Sequence, residues 1–203
     1  MKKIITDYKL LGGIFFAYLL IYVSFDSKQV FWYLYTASML FLISITIVNE
    51  KIDDEANTKL NFLYGIVSGV ALYVLFFVGD WLLAFMPTSL SKQIPKIYSH
   101  FSLEWIWHYL VLFFIIVPGE EIFWRGFIQK KLMRYMNVKL AIILSAALNA
   151  SAFIFSGYTV LIIAAFISGL AWGCLYAWKR SMPLLIISHL TFNLLLMIFL
   201  PLV

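Results

Sequence analysis

The chain has 203 residues, 64% of them hydrophobic and only 12% charged, with a mean hydropathy of +0.94. Soluble domains average about 25% charged residues, so a soluble globular protein is excluded and a polytopic membrane protein is expected. The net charge of +5 does not signal a nucleic-acid partner, because no basic run is interleaved with exposed aromatics. Basic loops read instead as topology signals and as contacts to anionic lipid.

Crossing a bilayer takes about 20 mainly apolar residues in a helix. The hydropathy pattern predicts such stretches at approximately 10–25, 30–48, 62–79, 105–129, 139–156, 158–178 and 183–201. This is an all-α transmembrane bundle of about seven spans. No Ser/Gly/Pro-rich linker divides the chain, so residues 1–203 read as one domain. The first span is expected to stay in the mature protein, because Phe25, Asp26, Ser27 and Lys28 offer no small-residue cleavage site.

The breaks are marked by Asp53, Asp54 and Glu55, by Pro87 and Pro95, and by the run from Lys179 to Pro183. The fourth span is too long to cross untilted, so its C-terminal end is expected to reach the aqueous interface. The single cysteine, Cys174, supports no disulfide framework or Cys-based zinc site and is expected as a small packing residue.

With the N-terminus in the cytoplasm, that side holds Lys2, Lys3, Lys9, Lys51, Lys59, Lys130, Lys131, Arg134, Lys139, Lys179 and Arg180. The other side holds Lys28, Lys92 and Lys96. This asymmetry predicts a cytoplasmic N-terminus and an external C-terminus. Aromatic clusters at Trp32–Tyr33, Trp105 to Tyr109 and Tyr176 to Trp178 are expected mostly as interfacial anchors.

Inside the fourth span stand Glu120, Glu121 and Arg125. A charge at bilayer depth costs about 2.5–3.5 kcal/mol on insertion scales, so such groups pair with one another and line a polar site. Glu121 and Arg125, four apart, share a helical face, while Glu120 points about 100° away and is free for another task. His189 and Asn193 repeat the four-residue spacing on the seventh span, and the fifth contributes Ser145, Asn149 and Ser151. A lone His on an apolar helix is more often a packing residue, and small polar residues often serve helix contacts. Charged and polar groups on separate spans of one small bundle read together as a site in a polar intramembrane cavity.

Residues Glu120 to Gly126 match an EExxxR motif, and His189 to Asn193 an HxxxN/D motif. On these motifs, the chain from about 105 to 201 resembles the CAAX protease and bacteriocin-processing (CPBP, or Abi) intramembrane proteases, type II CAAX prenyl endopeptidases among them. The resemblance implies a helical bundle in which a glutamate activates water to cleave a peptide bond. By that likeness Glu120 is the general base, Glu121 and Arg125 support its placement, and His189 with Asn193 bind the oxyanion. It further implies a bilayer-embedded protein acting on a membrane-associated peptide or protein, with a membrane protein partner as a further expectation and no nucleic acid. A bacterial plasma membrane is the expected location.

No cofactor is expected. One carboxylate and one His on separate spans fall short of the three protein ligands usual at catalytic zinc, although metal dependence stays open. The family pattern has a second His on the span after EExxxR, in an FxxxH motif. Here Asn149 stands at its Phe position and Phe153 at its His position, and the other histidines, His100 and His108, precede the motif. His108 lies about three turns before Glu120, too far along the axis to substitute. Asn149 can hold a water but cannot carry a proton.

Two functions therefore stand side by side. The first is an intramembrane endopeptidase; the alternative is a catalytically silent relative that acts as a scaffold or immunity protein. An ion or proton pathway ranks last, because the paired half-helices or repeats of a transporter are absent from the pattern.

Overall fold

The computed structural model describes residues 4–52, 58–85 and 89–202, and every regular element among them is helical. In chain order these are α1 (Tyr8–Asp26), α2 (Phe31–Asn49), α3 (Thr58–Ala84), the short α4 (Gln93–His100), α5 (Ile106–Leu132), α6 (Val138–Ser156), α7 (Thr159–Lys179) and α8 (Met182–Phe199). All but α4 are long and apolar enough to cross a membrane. Large apolar side chains such as Phe15, Val48, Leu63, Phe77 and Phe114 stand exposed on the outer surface, where hydrocarbon rather than water is the matching solvent. The chain is a multi-pass membrane protein.

Polar contacts sort the helix ends into two groups. At one end Lys131 Nζ, on the last turn of α5, lies 2.8 Å from Asp7 before α1 and 3.7 Å from Glu50 after α2. Arg134 bonds the same Glu50, and Asn61 near the start of α3 donates to Ser181 Oγ just before α8 at 3.1 Å. At the other end Tyr98 of α4 donates to Leu196 O near the end of α8, and Gln93 accepts from Val160 N at the start of α7. Consecutive spans therefore alternate in direction, as the basic-residue pattern requires.

Two close approaches fix the helices that bear charged and polar groups. A Cβ on Gly69 of α3 would lie 2.5 Å from Ser188 O of α8, and one on Gly65 would lie 2.8 Å from Ile187. This small-xxx-small face lets the two backbones pack directly. On α7, a Cβ on Gly169 would lie 3.1 Å from Ala146 of α6 and 3.6 Å from Arg125 Nη2.

Helix α5 is not uniform. Its turns widen to π geometry over Leu112–Ile116 and again over Trp124–Gln129. The first lies directly before Pro118, whose missing N–H and ring interfere with the preceding turn, and a widened turn relieves this. The second carries Arg125.

Several expectations are corrected. Helix α3 continues to Ala84, beyond the expected end of the third span near residue 79, so Asp80 lies within it. Pro95 does lie between the third and fourth spans, in the first turn of α4, where the backbone N–H has no intrahelical acceptor to lose. Cys174 is exposed and does not pack inward, while Tyr176, expected at the interface, is fully buried. Lys2, Lys3, Asp53, Asp54, Glu55 and Pro87 lie outside the described residues.

Candidate active site

Glu120 and Glu121 are successive residues of α5 and so face different directions. Glu121 is fully buried, and its Oε1 accepts from Arg125 Nη1 at 3.2 Å and lies 2.8 Å from His189 Nδ1 on α8. Glu121 Oε2 has no hydrogen-bond partner among the described residues. Glu120 turns toward α2 and α8. Its Oε1 accepts from the Tyr35 hydroxyl at 2.6 Å, and its Oε2 lies 3.9 Å from His189 Nε2.

The imidazole of His189 is thus held with one nitrogen toward each carboxylate. Its plane is fixed by Trp172 of α7, stacked at 3.8 Å between ring centroids and 23° between planes. Trp172 donates through Nε1 to Ser188 Oγ at 3.2 Å, and Ser68 of α3 donates to the same oxygen at 2.9 Å. The Arg125 guanidinium lies 5.4 Å from the Trp172 ring centroid, within cation–π range. Five helices, α2, α3, α5, α7 and α8, therefore contribute to the cluster around Glu120 and His189.

The structure brings Glu120, Glu121, Arg125 and His189 together and leaves the other candidates more loosely placed. Glu121 is set against His189 and Arg125, where the resemblance implied support of Glu120. Asn193 stands one turn beyond His189, half-buried, with no hydrogen bond to the described residues. Asn149 on α6 is buried, and its Oδ1 meets no donor among the described residues. Ser145 donates to Trp124 O, and Ser151 pairs with the Tyr18 hydroxyl of α1. His108 accepts through Nδ1 from Glu104 N and Trp105 N, both at 3.2 Å, and so caps the start of α5. Phe153 packs its ring against Phe25, 5.8 Å away between centroids.

Beside the charged cluster, between α5 and α8, runs a groove of about 450 Å³ lined by Phe113, Phe114, Pro118, Ile186, Leu190 and Leu194. Its lining is apolar. Among the described residues no group of three or more His, Cys, Asp and Glu gathers in the manner of a metal site. Tyr35 and Trp172 were not anticipated as site residues. Aromatic residues on apolar spans read as packing or interface anchors, and Tyr35 lies 85 positions from the carboxylate it meets.

Residues 102–195 match a family model described as type II CAAX prenyl endopeptidase Rce1-like. No curated protein and no solved structure matches the chain. The matched segment contains Glu120, Glu121, Arg125, His189 and Asn193, and it excludes Tyr35 on α2. Both motifs lie inside the match, with seven apolar helices around them, and over residues 102–195 the chain is similar to the type II CAAX prenyl endopeptidases.

Proposed function

We propose that this single-domain protein is an intramembrane endopeptidase that cleaves a membrane-associated peptide or protein with water activated by Glu120. One observation carries the reading: His189 Nε2 and Glu120 Oε2 stand 3.9 Å apart while the other nitrogen of the imidazole is tied to Glu121. A water bonded to both at about 2.8 Å would subtend roughly 90° between them, a spacing open to a single bridging molecule.

In the reaction the Glu120 carboxylate takes a proton from water as the oxygen forms a bond to the scissile carbonyl carbon. The carbonyl π electrons move to its oxygen. His189, held through Nδ1 by Glu121, turns Nε2 toward Glu120 and offers that edge to the oxyanion. The Asn193 amide, one turn further along the same helix, supplies a second donor. The oxyanion electrons then re-form the C=O bond, and the C–N bond breaks as Glu120 returns its proton to the leaving amine. The buried, unmatched Asn149 Oδ1 is suited to holding a water in reserve. The apolar groove beside the cluster suits a substrate that arrives from the lipid.

The basic residues at one end of the bundle support a cytoplasmic N-terminus, and a bacterial plasma membrane is the proposed location. A second reading rests on Phe153, whose ring sits among aromatics at the position of the family's second histidine. It is a catalytically silent relative that binds a membrane protein partner. Comparative membrane proteomics of cells carrying wild-type or Glu120→Gln protein separates the two. The endopeptidase leaves a membrane peptide cleaved only in wild-type cells, with equal insertion of both proteins; identical peptide profiles favour the silent relative.

A further inference from the structure

Glu120 has two oxygens with different neighbours, and the residue that divides them comes from outside the matched segment. The Tyr35 hydroxyl donates to Oε1 at 2.6 Å, leaving Oε2 toward His189. Tyr35 is buried and its ring does not stand alone. It stacks on Phe31 at 5.1 Å and 19°, and Phe25 lies 6.1 Å away. Phe25 in turn touches Phe31 at 5.2 Å, Phe101 at 5.9 Å and Phe153 at 5.8 Å. Phe153, at the place where the resemblance calls for a water-holding histidine, is therefore part of the aromatic wall that seats Tyr35.

The chemistry of the exchange is coherent. A carboxylate free to rotate presents either oxygen to water and spends part of its time misaligned. A short charge-assisted hydrogen bond to one oxygen fixes the plane of the group. With Oε1 occupied, Oε2 is the oxygen left to accept the proton, and it is the one that faces His189. A tyrosine packed on Phe31 and Phe25, which are backed by Phe101 and Phe153, costs little entropy to hold in place, since its ring is already immobilised by packing.

We infer that Tyr35 is the positioning residue of this protease, holding Glu120 by Oε1 from α2 so that Oε2 meets the attacking water, which no histidine of α6 holds. This rests on the endopeptidase reading. Tyr35→Phe keeps the ring and its stack and removes only the hydroxyl. With the membrane peptide found by comparing wild-type and Glu120→Gln cells as probe, kcat is expected to fall about tenfold to a hundredfold, while KM stays within about twofold because ground-state binding is untouched.

Infrared difference spectra between the wild-type and Glu120→Gln proteins isolate the Glu120 carboxyl band, and that band is expected to move when the Tyr35 hydroxyl is absent. Should Tyr35→Phe fold poorly, Phe31→Ala unseats the ring while keeping the hydroxyl and is expected to lower kcat in the same way. Wild-type kcat in Tyr35→Phe, or in a folded Phe31→Ala, or an unmoved carboxyl band, overturns the inference; the glutamate reading survives provided that Glu120→Gln is inactive. Full activity in Glu120→Gln, or no cleavage by the wild-type protein, defeats the reading and the inference with it.

Discussion

His189 Nδ1 and Glu121 Oε1 lie 2.8 Å apart across the contact between α8 and α5, and the same oxygen accepts from Arg125 at 3.2 Å. A single buried oxygen thus anchors both a guanidinium and an imidazole. A carboxylate at this depth is costly unless paired. Here the pairing also orients the ring that faces Glu120, so the ion pair serves stability and geometry together.

Removing Arg125 should separate these two contributions. Arg125→Ala leaves Glu121 buried with His189 as its sole partner among the described residues, and breaking a buried pair from one side costs about 3–5 kcal/mol. The remaining His189 contact places the loss toward the low end. The expected result is a lowered melting temperature in detergent and a loss of proteolysis; an unchanged melting temperature would show that the pair contributes nothing to stability.

Trp172 offers a test of ring placement without touching charge. Trp172→Ala removes the stack under His189 and the bond to Ser188, and cleavage should fall about tenfold or more as the imidazole gains freedom. Trp172→Phe keeps an aromatic face and should retain most of the activity lost in the alanine variant. Equal turnover for the two variants, at matched folding yield, would mean that the stack does not orient His189.

Asp7 sets an acid limit outside the spans. Its burial opposes ionisation, but hydrogen bonds from Lys131, the Leu10 N–H and Tyr135 outweigh this and hold its carboxyl at about 2, below the usual 3.8. A depressed folded-state value gives stability that is present above about 3.8 and lost as pH falls through that value toward 2. Melting temperature in detergent should therefore drop across this window, and Asp7→Asn should be less stable at neutral pH with a flatter acid limb. An unchanged acid limb in Asp7→Asn would count against the network.

Orientation is open to cysteine labelling once the exposed Cys174 is replaced. With a cytoplasmic N-terminus, a cysteine at Ser91 should react with an impermeant reagent in intact cells. One at Asn137 should react only after the membrane is breached. The reverse pattern would invert the assigned topology while leaving the alternation of spans intact.

The sequence by itself determined the membrane class, the seven apolar helices and the two motifs, because each rests on local quantities: hydropathy over about 20 residues and polar side chains four apart on one helical face. The Glu121–Arg125 pair was legible for that reason. Its second partner was not. Which carboxylate meets His189, 68 positions away, depends on how α5 and α8 rotate about their axes, and that rotation is set by packing, including the approach of α8 to Gly65 and Gly69. Tyr35 and Trp172 carried no local mark at all, since an aromatic on an apolar helix looks the same whether it faces lipid or a carboxylate. Only the tertiary structure, by burying Tyr35 and Tyr176 while leaving Tyr33 and Trp178 at the surface, decided which aromatics are interior and which meet lipid.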